Sequence, residues 1–181
     1  RLEGYDYTQP GAYFITLCAW RRECLFGDVL EGEVHLSPEG RIARDQWERL
    51  GRRFRWADFT SYFIMPNHMH GIVVIHGHDR RGAGEDAQVD DPFNPPLRPY
   101  ERTNVTPGSL GAIVRAYKAS VTFRIHALRG INNEPIWQRN YYEHIIRNEL
   151  DQKRIWDYIA QNPVQWLVDS LHPAAPYSEI R

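Results

Sequence analysis

Two apolar runs on either side of a turn dominate the middle of the chain: Phe59 to Met65, then Pro66-Asn67, then His68-Met69-His70 leading into Gly71-Ile72-Val73-Val74-Ile75. Runs of this length, bounded by turn residues and rich in β-branched and aromatic side chains, read as buried strands. Proline presets φ and asparagine tolerates turn geometry, so Pro66-Asn67 joins the two strands. The pair belongs in the middle of the fold. Residues i and i+2 of a strand point the same way, so His68 and His70 present two imidazoles together while Met69 enters the opposite face. Two imidazoles on rigid backbone can bind a divalent metal, although a His-x-His pair taken alone is as often structural.

The chain of 181 residues fits one catalytic domain, and its 42% hydrophobic and 13% aromatic content marks it as globular rather than disordered. Cys18 and Cys24 make neither a disulfide framework nor a zinc cluster, so a reducing, cytoplasmic location is the expectation. No apolar stretch approaches the roughly 20 residues that cross a bilayer, and no signal-peptide pattern opens the chain, whose first residue is Arg1. The net charge of -1 hides an uneven distribution. Residues 79 to 101 hold six acids against three bases, and the remainder carries 19 Lys and Arg against 17 Asp and Glu. That mildly basic remainder permits a phosphate-binding face.

In chain order, Tyr13 to Ala19 reads as a first strand after a Pro10-Gly11 turn, and Val34-His35-Leu36 as a short edge element. Ser37 caps a helix that starts at Pro38 and carries Ile42, Trp47 and Leu50 as its apolar stripe. Residues 79–105, rich in Gly, Pro and acid, read as a flexible loop, and residues 171–181 as a Pro-rich tail. His76 and His78 repeat the His-x-His spacing in a glycine-rich context that gives them no fixed geometry. A second helix runs from about Leu110 to Leu128 and ends at Gly130. Pro135 to Arg147 supplies a fourth strand. Asn148 then caps a last helix, with Asp151 in its first turn and Pro163 closing it. The order strand, helix, strand, strand, helix, strand, helix suits an α+β, ferredoxin-like antiparallel sheet with helices packed on one face.

A metal held by His68 and His70 keeps open positions, as a catalytic site requires. An oxygen donor from the last helix, Asn162, completes the protein's share, and Tyr158 stands one turn before it. A hard or borderline ion, Mg²⁺ or Mn²⁺, polarises a phosphate oxygen, while the tyrosine supplies a nucleophile. Attack on a phosphodiester conserves its bond energy in a phosphotyrosine link, so the step can be reversed to join strands. Tyr141 and Tyr142 are rival nucleophiles or stacking residues. His144 packs, supports the metal ligands or contacts phosphate, and Trp137 belongs to the core. Arg115, Lys118, Arg124, Arg139 and Arg147 are candidate DNA contacts.

Four separated motifs carry a resemblance: Pro66 to Gly71, Leu110 to Lys118, Ile136 to Arg147, and Asp157 to Pro163. Over residues 5 to 168 the chain resembles the HUH single-tyrosine transposases, most closely their REP-associated tyrosine transposase branch. The resemblance implies a ferredoxin-like catalytic domain that cleaves and transfers single-stranded DNA near an imperfect hairpin, through a 5′-phosphotyrosine intermediate and a divalent metal. On it, His68 and His70 match the metal-binding pair and Tyr158 the nucleophile. Asn162 lies where insertion-sequence relatives carry a metal-ligating glutamine, which leaves Asn162 and His144 as rivals for the third ligand. Insertion-sequence relatives act as homodimers; the REP-associated branch need not. Two other functions fit the residues: a silent hairpin-binding protein, and a phosphoester hydrolase that activates water.

Overall fold

A computed structural model describes residues 4–77 and 105–175. The acidic loop, His78 and the end of the Pro-rich tail lie outside these residues. At the centre is the expected hairpin, β4 (Ala57–Ile64) against β5 (His68–Ile75), with Phe63 opposite His70 and Ile64 opposite Met69. The chain after the first strand braces its turn: the Ala19 and Phe26 amides donate to the carbonyls of Asn67 and Pro66, at 2.8 and 2.7 Å.

On the other side of β5 runs β1 (Gly11–Cys18), with Thr16 opposite His70 and Cys18 opposite His68. β6 (Tyr142–Ile146) closes the sheet against β1, giving the order β4-β5-β1-β6 with every pair antiparallel. This is the ferredoxin-like arrangement. A short hairpin, β2 (Gly27–Leu30) and β3 (Glu33–Leu36), forms a separate sheet, so the expected edge element at 34–36 is one half of a pair. Left-handed backbone at Glu31 and Gly32 (φ 54° and 80°) makes its tight turn.

Strand alternation sorts the side chains onto two faces. Tyr13, Ile15, Leu17, Met69, Val73 and Ile75 point to one, where α1 (Pro38–Glu48) and α3 (Leu110–Arg129) bury Trp47, Ile113 and Tyr117 against them. Both helices start at serine caps, Ser37 accepting from the Gly40 amide and Ser109 from that of Ala112. α3 ends at Gly130 in left-handed backbone (φ 66°). Trp47 explains Gly71. A Cβ at Gly71 would sit 2.5 Å from the indole, which donates its N–H to the Phe59 carbonyl beside the register shift in β4. A four-residue helix, α2 (Leu50–Arg53), follows α1.

One feature of the expected layout is corrected. α1 and α3 share a face, but the last helix, α4 (Glu149–Gln161), packs on the other, where Ile155 and Ile159 meet Phe14 and Ile72. Periodicity shows that a helix has an apolar stripe, not which side of a sheet it covers. The consequence is functional, because α4 covers the face to which His68 and His70 point. Among the described residues no helix is long and apolar enough to cross a membrane.

Candidate active site

β5 begins at His68, so both histidines hang from paired strand backbone and are fully buried. Their Nε2 atoms converge to 3.0 Å. Each ring is fixed from behind: His68 Nδ1 lies 2.8 Å from Asn67 Oδ1, and His70 Nδ1 lies 2.9 Å from Thr16 Oγ1. The amide oxygen accepts, so His68 carries its proton on Nδ1 and turns the Nε2 lone pair inward. Asn67 is itself locked, donating to the carbonyls of Arg22 and Leu171 at 3.1 and 2.7 Å.

Both imidazoles are held neutral. Burial, with the nearby Arg22 charge, pushes the His68 pKa down to about 3, while Asn162 opposes the shift. His70 falls well below its ordinary value through burial and the adjacent His68. The neutral form is the one that ligates a cation.

α4 brings up the rest. Tyr158 is 42% exposed, with its ring 5.1 Å from that of His70 and 6.3 Å from that of Phe14. Burial first, then Asp169, pushes its phenol up to about 12, against a lowering contribution from Asn162. One turn on, Asn162 is 2% exposed, and its Oδ1 is buried without a hydrogen bond of ordinary geometry. Its Nδ2 donates to Asp169 Oδ2 at 2.8 Å, which sets the amide's orientation. Asp169 Oδ1 accepts from the Leu171 amide at 2.7 Å. Beside Tyr158 opens a pocket of about 330 Å³ lined by Thr16, Arg22 and Tyr142, among others.

Two imidazole nitrogens and an orphaned amide oxygen form a donor set suited to a divalent cation. Among the described residues no three His, Cys, Asp or Glu side chains gather to hold a metal. His144, the rival third ligand, is occupied elsewhere: its Nε2 lies 2.8 Å from Asp151 Oδ2, which also accepts from the Arg147 amide. It ties β6 to the start of α4. Tyr142 lines the pocket, whereas Tyr141 packs against the opposite core with Lys118 Nζ 5.8 Å from its ring centre. Trp137 joins that same core.

The candidate DNA contacts are dispersed. Arg115, Lys118 and Arg124 lie on α3, across the sheet from Tyr158. Lys118 donates to the carbonyls of Gln138 and Asn140 at 2.8 and 3.1 Å, so it holds a loop. Arg139 and Arg147 are exposed on either side of β6. His76 pairs with Asp58 at the surface. Four site residues escape sequence reasoning. Asn67 was visible only as a turn former and Thr16 as a strand residue, while Arg22 and Asp169 belong to no motif.

No family model matches the chain. It is 37% identical over 178 residues to an uncharacterized protein of Haemophilus influenzae (strain ATCC 51907 / DSM 11121 / KW20 / Rd), an alignment spanning 95% of this chain and 91% of that protein. Among solved structures it is similar to the REP-associated tyrosine transposase bound to a REP hairpin. The TM-score is 0.58 at 22% identity, covering 92% of this chain and 74% of the other.

Proposed function

Because the chain belongs to one family with the Haemophilus influenzae protein and has the fold of the REP-associated tyrosine transposase, we propose that it is a single-tyrosine HUH transferase that cuts and rejoins single-stranded DNA beside a hairpin. The observation that carries this reading is the placement of Tyr158 against His70, whose Nε2 meets that of His68 at 3.0 Å, with the orphaned Asn162 oxygen one turn away.

Tyr158 Oη attacks the phosphorus and the bond to the 3′ oxygen breaks. The products are a 5′-phosphotyrosine and a free 3′ hydroxyl. The phenolic proton leaves to solvent through the half-open pocket, and the departing oxygen takes one up. His68, His70 and Asn162 would hold a divalent cation such as Mg²⁺ or Mn²⁺, which would supply Lewis-acid polarisation of a phosphate oxygen. Positive charge is what this phenol lacks, since its surroundings favour the protonated form. Asn67 and Thr16 hold the imidazoles in register, and Asp169 aims the Asn162 oxygen. A single-stranded cut site suits this arrangement, because an unstacked phosphodiester can be brought to Tyr158 beside the pocket lined by Phe14 and Tyr142.

The test is a denaturing gel of labelled hairpins with flanking sequence from the source genome, incubated with Mg²⁺ or Mn²⁺. A metal-dependent protein–DNA band that resists denaturant is expected from the native protein and is lost in Tyr158→Phe, which still binds the hairpin with an affinity that falls as salt rises. Cleavage that persists in Tyr158→Phe without an adduct points instead to activated water. Binding without any cleavage points to a silent hairpin binder.

A further inference from the structure

We propose that Arg22 is a further catalytic residue, whose guanidinium binds a non-bridging oxygen of the scissile phosphate as Tyr158 attacks. The proposal rests on the strand-transfer reading above.

The backbone is the first sign. Arg21 and Arg22 both adopt left-handed backbone, with φ of 53° and 57°, in a short turn directly after β1. Each such non-glycine residue costs about 1 kcal/mol or more, and strain of this kind persists only where the surroundings impose it. Here they do. The Arg22 carbonyl accepts from Asn67 Nδ2 at 3.1 Å, and the same Asn67 holds His68 Nδ1 at 2.8 Å. Arg22 Nη1 donates to the Ser170 carbonyl at 3.1 Å, next to the aspartate that orients Asn162. One arginine is therefore bolted to both halves of the site, through its main chain to the histidine strand and through its side chain to the segment after α4.

The side chain is the second sign. Arg22 is 4% exposed, and the pocket it lines is the one that Tyr158 lines. Among the described residues lining that pocket it is the only charged one, the others being aromatic, aliphatic or hydroxyl-bearing. A phosphodiester brought to Tyr158 thus meets one fixed positive charge from the protein. A guanidinium suits that task because it stays charged at any working pH and presents several N–H donors in a rigid plane, a geometry matched to phosphate oxygens. In phosphoryl transfer the developing charge resides on the non-bridging oxygens, where a preorganised donor acts more strongly than in the ground state. Neither the Arg21-Arg22 pair nor its surroundings in the sequence signals any of this.

Single-turnover adduct formation by the native protein, Arg22→Gln and Arg22→Lys separates catalysis from architecture. Two hairpins are compared, one with the ordinary scissile phosphodiester and one with a neutral methylphosphonate at the mapped cleavage site. Removal of a transition-state donor of this type slows reaction about 100-fold or more. Arg22→Gln is expected to fall by that factor on the phosphodiester while its hairpin affinity stays within about threefold. Arg22→Lys should lie between the two, and carries the comparison if the Gln variant melts early. On the methylphosphonate, which carries no charge to neutralise, the native protein's advantage shrinks to a few-fold. An advantage that persists at the same size there makes Arg22 a structural tie and overturns the proposal, as does an unchanged rate on the phosphodiester. Absence of an adduct from the native protein instead removes the strand-transfer reading, and this proposal with it.

Discussion

Asp169 accepts a hydrogen bond from Asn162, and its charge also reaches His70, opposing the fall of that imidazole's pKa. An amide can present either its oxygen or its nitrogen to a site, and the choice is set by what binds the other end. Here the carboxylate accepts from Nδ2, so Oδ1 faces the imidazoles. An Asp169→Asn variant keeps the shape but can offer an N–H where the carboxylate accepted, freeing the Asn162 amide to turn over. Loss of an orienting partner of this kind typically weakens metal binding about 10- to 100-fold. Mn²⁺ affinity, followed by electron paramagnetic resonance of the free ion, is expected to fall into that range in Asp169→Asn. An unchanged affinity excludes the Asn162 oxygen from the cation's environment. The same substitution removes one of the influences that hold the Tyr158 phenol high, so weaker metal binding need not mean a less acidic nucleophile.

At the scale of elements, the chain's capping chemistry was legible because it is local. Ser37, Ser109, Gly130 and Asn148 each end or begin a helix where a side-chain oxygen or a left-handed backbone is required. The β2–β3 pair was half visible, since ten residues punctuated by glycine give alternation too little length to register. The face chosen by α4 was not legible at all, being decided by what the sheet leaves uncovered. Lys118 is a second tertiary effect. Read as a phosphate contact, it instead ties α3 to the segment before β6, and burial pushes its pKa down to about 8. The folded form therefore releases the proton that the unfolded chain retains up to its ordinary value. Between about pH 8 and the ordinary lysine range the unfolded state binds more protons, so this residue's penalty is present in full below that window and fades as pH rises through it. Relative to Lys118→Met, the native protein is expected to gain stability from pH 7 to pH 10, by no more than about 3 kcal/mol. Urea unfolding at a series of pH values measures the difference. A flat difference means that the two carbonyls fully offset the burial.

For the whole molecule, the decisive fact is that the site draws on segments far apart in sequence: the turn after β1, the start of β5, the end of α4 and the segment around Asp169. The sequence could show His68, His70, Tyr158 and Asn162, because strand and helix periodicity place each pair on one side of its own element. It could not show Arg22 or Asp169, whose roles exist only once separate segments meet. An unfolded chain has no such convergence, so a cation that binds the assembled donors binds only the folded state, and its binding energy adds to folding stability. At 100 times its dissociation constant that linkage is worth about 2.7 kcal/mol, or about 5 to 10 °C in melting temperature for a chain of this size. Melting curves across a Mn²⁺ titration at constant ionic strength are expected to rise by that amount and to plateau in slope against log concentration. In His68→Ala, whatever its own starting temperature, the rise should disappear. If His68→Ala gains as much as the native protein, the cation binds elsewhere and the histidine pair is a structural hydrogen bond; if neither gains, the fold completes this site without metal, and the charge opposite Tyr158 comes from Arg22 alone.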